Sequence, residues 1–241
     1  MSIENKKFDP NNYYNEGYFA GSNPDSPYPK DAHYLNTGHP EIRRKFNNLY
    51  QVVTSRNPIR IENKLKLLDV GCGPANTEIV FTEIDKNIEV YNCDGFFPVA
   101  AFAKNVRKAS RVATADQRKL PFADASFGGV SSWDVIEHVL QSESAIFFKE
   151  ANRVLVPGGV LAIRTPNKWT WTGKYRKDVS HVWFPTTGII RQMLKEAGFS
   201  DLKITTRGFP GTRIYEALNP DGDLYLPFGG GVIIASAIKP G

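Results

Sequence analysis

At 241 residues with 41% hydrophobic content, the chain supports one sizeable core and excludes two comfortable domains unless one is very small. Its formal charge of +5 is mildly basic, but lysines and arginines are spread along the chain with no block of five or six. That pattern favours a solvated surface over a nucleic-acid track. Only two cysteines are present, Cys72 and Cys93, in separate apolar runs, with neither CxxC nor Cys/His zinc spacing, so no metal and a reduced, cytoplasmic setting are expected. The start, MSIENKKFDPNN, lacks an apolar h-region, and the run GVIIASAI is too short to span a bilayer, so neither a leader nor a membrane span is expected.

Residues 1–40 hold many aromatics and turn formers without a period of 2 or 3.6, which predicts an irregular arm packed on a single domain over 41–241. From Pro40, Ile42, Phe46, Leu49 and Val53 recur at helical spacing with charge on the other face, as in an amphipathic helix. A regular alternation follows: strand 65–70, helix 76–86, strand 88–93, helix 97–107, strand 111–115, strand 127–133, helix 142–153, strand 159–165 and helix 186–197. Strands over 201–207 and 231–238 close the chain, joined by a turn-rich stretch with no helix, which predicts an antiparallel pair at one edge. Short apolar strands alternating with helices predict an α/β fold with a largely parallel sheet covered on both faces.

In such sheets ligands bind beyond the carboxyl ends of the strands, where the strand order reverses. The first strand ends at Asp69 and Val70 and runs into Gly71, Cys72, Gly73, Pro74 and Ala75 before a helix. Glycines there let the backbone turn sharply and approach a ligand, and the helix N-terminus offers unpaired N–H groups to a carboxylate or phosphate. The second strand ends at Asp94, where an acid can accept both hydroxyls of a ribose, and the third leads to Asp116 and Gln117, where an acceptor meets an adenine amino group. Taken together, the three strand ends outline a nucleoside site. A nicotinamide enzyme also uses a glycine loop and a ribose acid, but the third glycine of its GxGxxG is Asn76 here.

On these residues the chain resembles the class I S-adenosylmethionine-dependent methyltransferases of the broad small-molecule group, methyltransferase type 11, which includes the ubiquinone and menaquinone biosynthetic enzymes. The similarity is carried by LLDVGCGPA, YNCD, ATADQRKLPFADASFGGVSSWDVIEHV and RVLVPGGVLAIRTPN, over about residues 64–207. It implies a Rossmann-like seven-stranded mixed sheet of order 3-2-1-4-5-7-6, with the seventh strand antiparallel. It also implies that Asp69 and the backbone of Gly71 to Ala75 hold the methionine part of the cofactor, Asp94 the ribose and Asp116 the adenine amino group. Gln117 or Arg118 would flank the ring, and Cys72, Gly95 and Phe96 belong to the same cofactor shell. Ala75 departs from the family's third glycine, so its backbone must keep a negative φ or bear a modest cost.

Methyl transfer from a sulfonium is an in-line displacement, so alignment supplies most of the rate. A hydroxyl acceptor needs a base; an amine needs only to be neutral. The fourth strand ends at Trp133, placed beside the methyl group or alternatively in the core, with Glu137 and His138 one turn on. His138 and His181 are candidate bases, because free imidazole titrates near neutrality, although both could instead pack or pin loops. Asp178 and His181 fit an Asp-x-x-His found in related methyltransferases. Tyr14, Tyr18 and Phe19 are expected to fold over the cofactor as a lid, and Trp169, Trp171, Tyr175 and Arg176 to wall the acceptor pocket. The implied acceptor is a small molecule, planar or anionic; a nucleic-acid or protein substrate and a silent cofactor-binding partner are the alternatives. Residues 208–230 either cover the pocket or make a homodimer contact.

Overall fold

The computed structural model describes residues 19, 33–168, 180–207 and 231–241. After a short 3-10 turn at His33–Leu35, helix α1 (Pro40–Thr54) begins on Pro40, whose missing N–H is one a first helical turn leaves unpaired anyway. Its buried stripe is Ile42, Phe46, Leu49 and Val53, the predicted set. The parallel strands and their helices follow as β1 (Leu65–Val70), α2 (Asn76–Ile84), β2 (Ile88–Asp94), α3 (Phe97–Asn105) and β3 (Val112–Thr114). Then come β4 (Phe127–Trp133), a 3-10 turn at Ile136–His138, α4 (Gln141–Val154), β5 (Leu155–Pro166), α5 (Thr187–Glu196), β6 (Ser200–Arg207) and β7 (Val232–Ile238).

The seven strands form one sheet in the order β3-β2-β1-β4-β5-β7-β6. The first five pair in parallel, while β7 runs antiparallel to both β5 and β6, as expected from the missing helix before it. Along β1, successive side chains alternate between faces. Leu65 and Leu67 join α1, Val80 and Phe81 on one side, and Leu68 and Val70 join Phe147, Phe148 and Ile190 on the other. Because both faces are covered, β1 carries no solvent-facing polar stripe, and Asp69 at its end is only 3% exposed. Among the described residues no helix is long and apolar enough to cross a membrane.

Most boundaries fall within a residue or two of expectation, but β5 begins four residues early. Pro157 and Gly158, which precede the predicted strand, lie inside β5. Leu155 pairs with Phe127 and Val160 with Gly129, so the strand absorbs the extra residues as an irregularity. Gly158, at φ +77°, takes the bend, and its N–H donates to the Lys239 carbonyl at 2.9 Å. Glycine and proline in a strand mark a bulge as readily as a turn.

Ala75, the residue before α2, lies in the left-handed region at φ 58°, ψ 34°. An L-residue pays about 1–2 kcal/mol there. Its methyl is fully buried beside Cys72, Ala103 and Ala109, which returns about 0.8 kcal/mol. The two effects nearly offset one another. Ala75→Gly is therefore expected to change unfolding stability by less than about 1 kcal/mol, whereas Ala75→Val, β-branched in the wrong backbone region and overpacked, should lose about 2 kcal/mol or more. Urea titration of both variants checks this; a valine variant as stable as the parent would contradict the left-handed turn.

Candidate functional site

The sheet order reverses between β1 and β4, and the carboxyl ends of β1, β2 and β4 share one edge because the strands are parallel. The glycine loop leaving β1 is stitched to β2 there. Gly71 and Cys72 donate their N–H groups to the Cys93 carbonyl at 2.8 and 3.0 Å. One residue further, the Asp94 carboxylate accepts from the Gly73 N–H and the Phe96 N–H, both at 3.1 Å, and so ties the loop after β1 to the loop after β2. Gly71 (φ +72°) leaves no room for a side chain, since a Cβ would sit 2.3 Å from the Val135 side chain beyond β4. On the other side, the Phe19 ring lies against Gly73 and stacks with Tyr34 and Phe102 at 6.2 Å. The loop is thus held between the arm and the turn after β4.

Two carboxylates are buried behind this loop. Asp69 accepts a 2.6 Å bond from the Ser131 hydroxyl on β4, and burial pushes its carboxyl up to about 6 against that bond. Asp94 is also pushed up to about 6 by burial, despite the N–H groups of Phe96, Gly73 and Gly95 that favour its charged form. Asp116 differs. It is exposed and ion-paired with Arg118 at 2.5 Å, and that bond, ahead of burial, holds its carboxyl below the ordinary value. Arg118 also bonds Glu143, so it is committed to two carboxylates. Neighbouring Gln117 is buried, and its Oε1 has no hydrogen-bond partner among the described residues.

Beyond β4, Trp133 is buried in the cluster beneath α1, with Leu49 and Ile234, which is its alternative core placement. Asp134 follows in the left-handed region at φ 60°. Burial would raise its carboxyl, but Arg164 from β5 and Lys45 from α1 outweigh that and hold it at about 2. In the adjoining 3-10 turn Glu137 is fully buried and accepts from the Thr165 hydroxyl at 2.9 Å. Burial, with nearby Asp134 adding to it, pushes Glu137 up to about 8. His138 bonds Ser180 through Nδ1, at 2.9 Å to the hydroxyl and 3.3 Å to the carbonyl. The His181 ring is 4.7 Å from the His138 ring and 5.5 Å from Phe184. This second segment is clipped to the turn by Val182 N–H to the Glu137 carbonyl at 2.9 Å and Trp183 Nε1–H to the Ile136 carbonyl at 2.7 Å.

The sequence-predicted residues therefore fall into two groups and a remainder. Asp69, Gly71, Cys72, Gly73, Ala75, Asp94, Gly95 and Phe96 converge at the ends of β1 and β2, with Asp116 and Gln117 in the loop after β3. His138 and His181, 43 positions apart in the chain, meet beyond β4. Tyr14, Tyr18, Trp169, Trp171, Tyr175, Arg176 and Asp178 lie outside the described residues. Sequence reasoning missed Lys45, Ser131, Arg164, Thr165 and Ser180 as partners of these groups. They come from α1, β4, β5 and the segment before α5, and no local pattern marks them.

Residues 68–163 match the family described as "Methyltransferase domain". The chain is similar to "Probable tRNA methyltransferase 9B" of Bos taurus, 30% identical over 137 residues, or 55% of this chain and 28% of that protein. It is also similar to a sterol 24-C-methyltransferase of Gibberella zeae, 31% identical over 126 residues, or 50% of this chain and 32% of that one. The chain thus spans about a third of the length of these curated relatives. Among solved structures, a SAM-dependent methyltransferase from Archaeoglobus fulgidus superposes with a TM-score of 0.62 at 16% identity, covering 87% of this chain and 100% of that chain. That likeness carries the fold.

The two buried acids set a pH dependence in the cofactor-free protein. Their folded pKa values, about 6, exceed the ordinary 3.8, so below about pH 6 the native state takes up protons that the unfolded chain does not. Glu137, pushed to about 8, adds in the same direction, so unfolding stability should rise by about 3–5 kcal/mol as pH falls from 7 to 5, and Asp69→Asn should remove about 1 kcal/mol of that rise. Urea unfolding at the two pH values tests this; stability falling over that interval would contradict the burial.

Proposed function

We propose that this chain, a member of the class I S-adenosylmethionine-dependent methyltransferase family through residues 68–163, transfers the cofactor's methyl group to an oxygen of a small-molecule acceptor. The observation that carries the cofactor half is the Asp94 carboxylate bonded to Gly73 and Phe96 at the point where strand order reverses. There the ribose would take the outer lone pairs of Asp94. The methionine tail would lie over the backbone of Gly71 to Gly73, with Asp69 behind its ammonium and Ala75 at the start of α2. Gln117, with a buried Oε1 lacking a partner among the described residues, and Asp116 are the proposed contacts to the adenine edge.

The acceptor half rests on the cluster beyond β4. The sulfonium leaves as a neutral thioether, so nothing need be done for the leaving group beyond alignment. A hydroxyl acceptor must lose a proton, and the proposed groups for that are His181 and His138, held together by Ser180 and Phe184. Val135, packed against Gly71, links this turn to the glycine loop, so both halves share one wall. Phe19, already seated on Gly73, is the proposed anchor of a lid that includes Tyr14 and Tyr18, while Trp169, Trp171, Tyr175, Arg176 and Asp178 are the proposed acceptor wall. A tRNA acceptor is the second reading, favoured by the likeness to the Bos taurus protein.

Two measurements test this. Asp94→Ala should weaken S-adenosylhomocysteine binding by about 1–3 kcal/mol in calorimetry, the range for a lost charge-assisted bond with partners left unpaired; unchanged affinity would refute the ribose role. Incubation with methyl-labelled cofactor and a cell extract should place label in the small-metabolite fraction, as a base-stable ether. With the acceptor in hand, His181→Ala should depress kcat while leaving cofactor affinity intact. Label confined to the RNA fraction would replace the small-molecule reading with the second one.

A further inference from the structure

We propose that Glu137, His138 and His181 form a binding site for one first-row divalent cation, with manganese(II), iron(II), cobalt(II) and zinc as the class. The proposal deepens the oxygen-acceptor reading above and rests on it only for the cation's use, not for its binding. Each of the three residues offers a ligand atom, and these atoms all lie within 4.8 Å of one another. Bonds of about 2.0–2.2 Å to imidazole nitrogen and carboxylate oxygen require those separations to shrink to roughly 3 Å, a movement within reach of the half-exposed His181 ring.

Three further features fit a cation rather than a chance cluster. Glu137 is fully buried, and its Oε1 has no hydrogen-bond partner among the described residues. A carboxylate ionised at this depth needs an ion-pair partner or a metal. Lys45 and Arg164 both bond Asp134, and no ion pair reaches Glu137 among the described residues. The other Glu137 oxygen is fixed by the Thr165 hydroxyl, so Oε1 is the oxygen left to bind. At His138, Nδ1 lies within hydrogen-bond distance of the Ser180 carbonyl, which can only accept. The Ser180 hydroxyl, 2.9 Å from the same nitrogen, can donate or accept, and with the proton on Nδ1 the ring's lone pair would sit on Nε2, the arrangement that outer-shell partners impose on ligating histidines.

Two imidazoles and one carboxylate form a mixed nitrogen and oxygen set that favours first-row divalent ions over magnesium or calcium. Three protein ligands leave open positions, as catalytic metal sites do. An acceptor hydroxyl bound there would lose its proton near neutral pH without a separate base, and its oxygen would be held for in-line attack on the methyl carbon. The histidines would then act as ligands and leave proton removal to solvent, which distinguishes this account from direct base catalysis.

The test uses the full chain without an affinity tag, stripped with a chelator and then titrated with Mn²⁺ or Co²⁺ alone. Calorimetry should give one equivalent of saturable binding, with cobalt absorption bands in the visible. His181→Ala and the isosteric Glu137→Gln should each weaken Mn²⁺ binding at least tenfold while S-adenosylhomocysteine affinity stays at the parent value. No saturable binding of either ion, or binding that both variants leave unchanged, would overturn the site. Metal binding that both variants weaken, together with no transfer to any hydroxyl acceptor, would uphold the site and refute the oxygen-acceptor reading instead.

Discussion

The site is organised around one carboxylate. Asp94 ends β2 and reaches back to the N–H of Gly73 and forward to that of Phe96, so a single side chain sets the relative position of two loops. The loop's other bonds, from Gly71 and Cys72 to the Cys93 carbonyl, from Ala75 to the Cys72 carbonyl and from Arg107 to the Pro74 carbonyl, do not engage the Gly73 N–H. The geometry has a cost, because burying the carboxylate works against its charge and leaves it titrating near 6. A cofactor offering hydroxyl donors would add hydrogen bonds that favour the carboxylate's charged form. The loop itself is held by contact on both sides, with Val135 where a Gly71 side chain would be and Phe19 against Gly73.

Charge on the far side of the crevice is arranged unequally. Asp134 receives Lys45 and Arg164 and is held at about 2, while Glu137 three residues on receives a threonine hydroxyl and is pushed by burial to about 8. One turn therefore contains a carboxylate that stays ionised and one that resists ionisation, set apart by their neighbours alone. A left-handed aspartate at position 134 is disfavoured, but it sends β4 into the 3-10 turn that brings His138 to Ser180 and His181.

Much of the fold was legible in the sequence, for identifiable reasons. The apolar stripe of α1 and the alternation of short apolar strands with helices follow from burial periodicity, and the antiparallel final pair follows from the missing helix between them. The start of β5 was misplaced because the proline and glycines at 157–159 serve a bulge and a turn equally well. At the site, strand ends were legible because a parallel sheet forces them to one edge. What sat on those ends was less so. Trp133 faces the core cluster beneath α1, since its place in the strand's alternation puts it on that face. The pairing of Asp116 with Arg118 was hidden because both were read as cofactor contacts. The meeting of Glu137, His138 and His181 depends on main-chain bonds between two segments about forty residues apart, and no spacing rule anticipates it.

The central claim, that the Asp94 knot is the seat of the cofactor, is tested most directly by a crystal structure of the chain with S-adenosylhomocysteine. The account predicts the ribose hydroxyls on the Asp94 carboxylate, with the amino-acid tail lying over Gly71 to Gly73. A ligand bound elsewhere on the sheet edge, with Asp94 still bonded only to its neighbouring loop N–H groups, would contradict it.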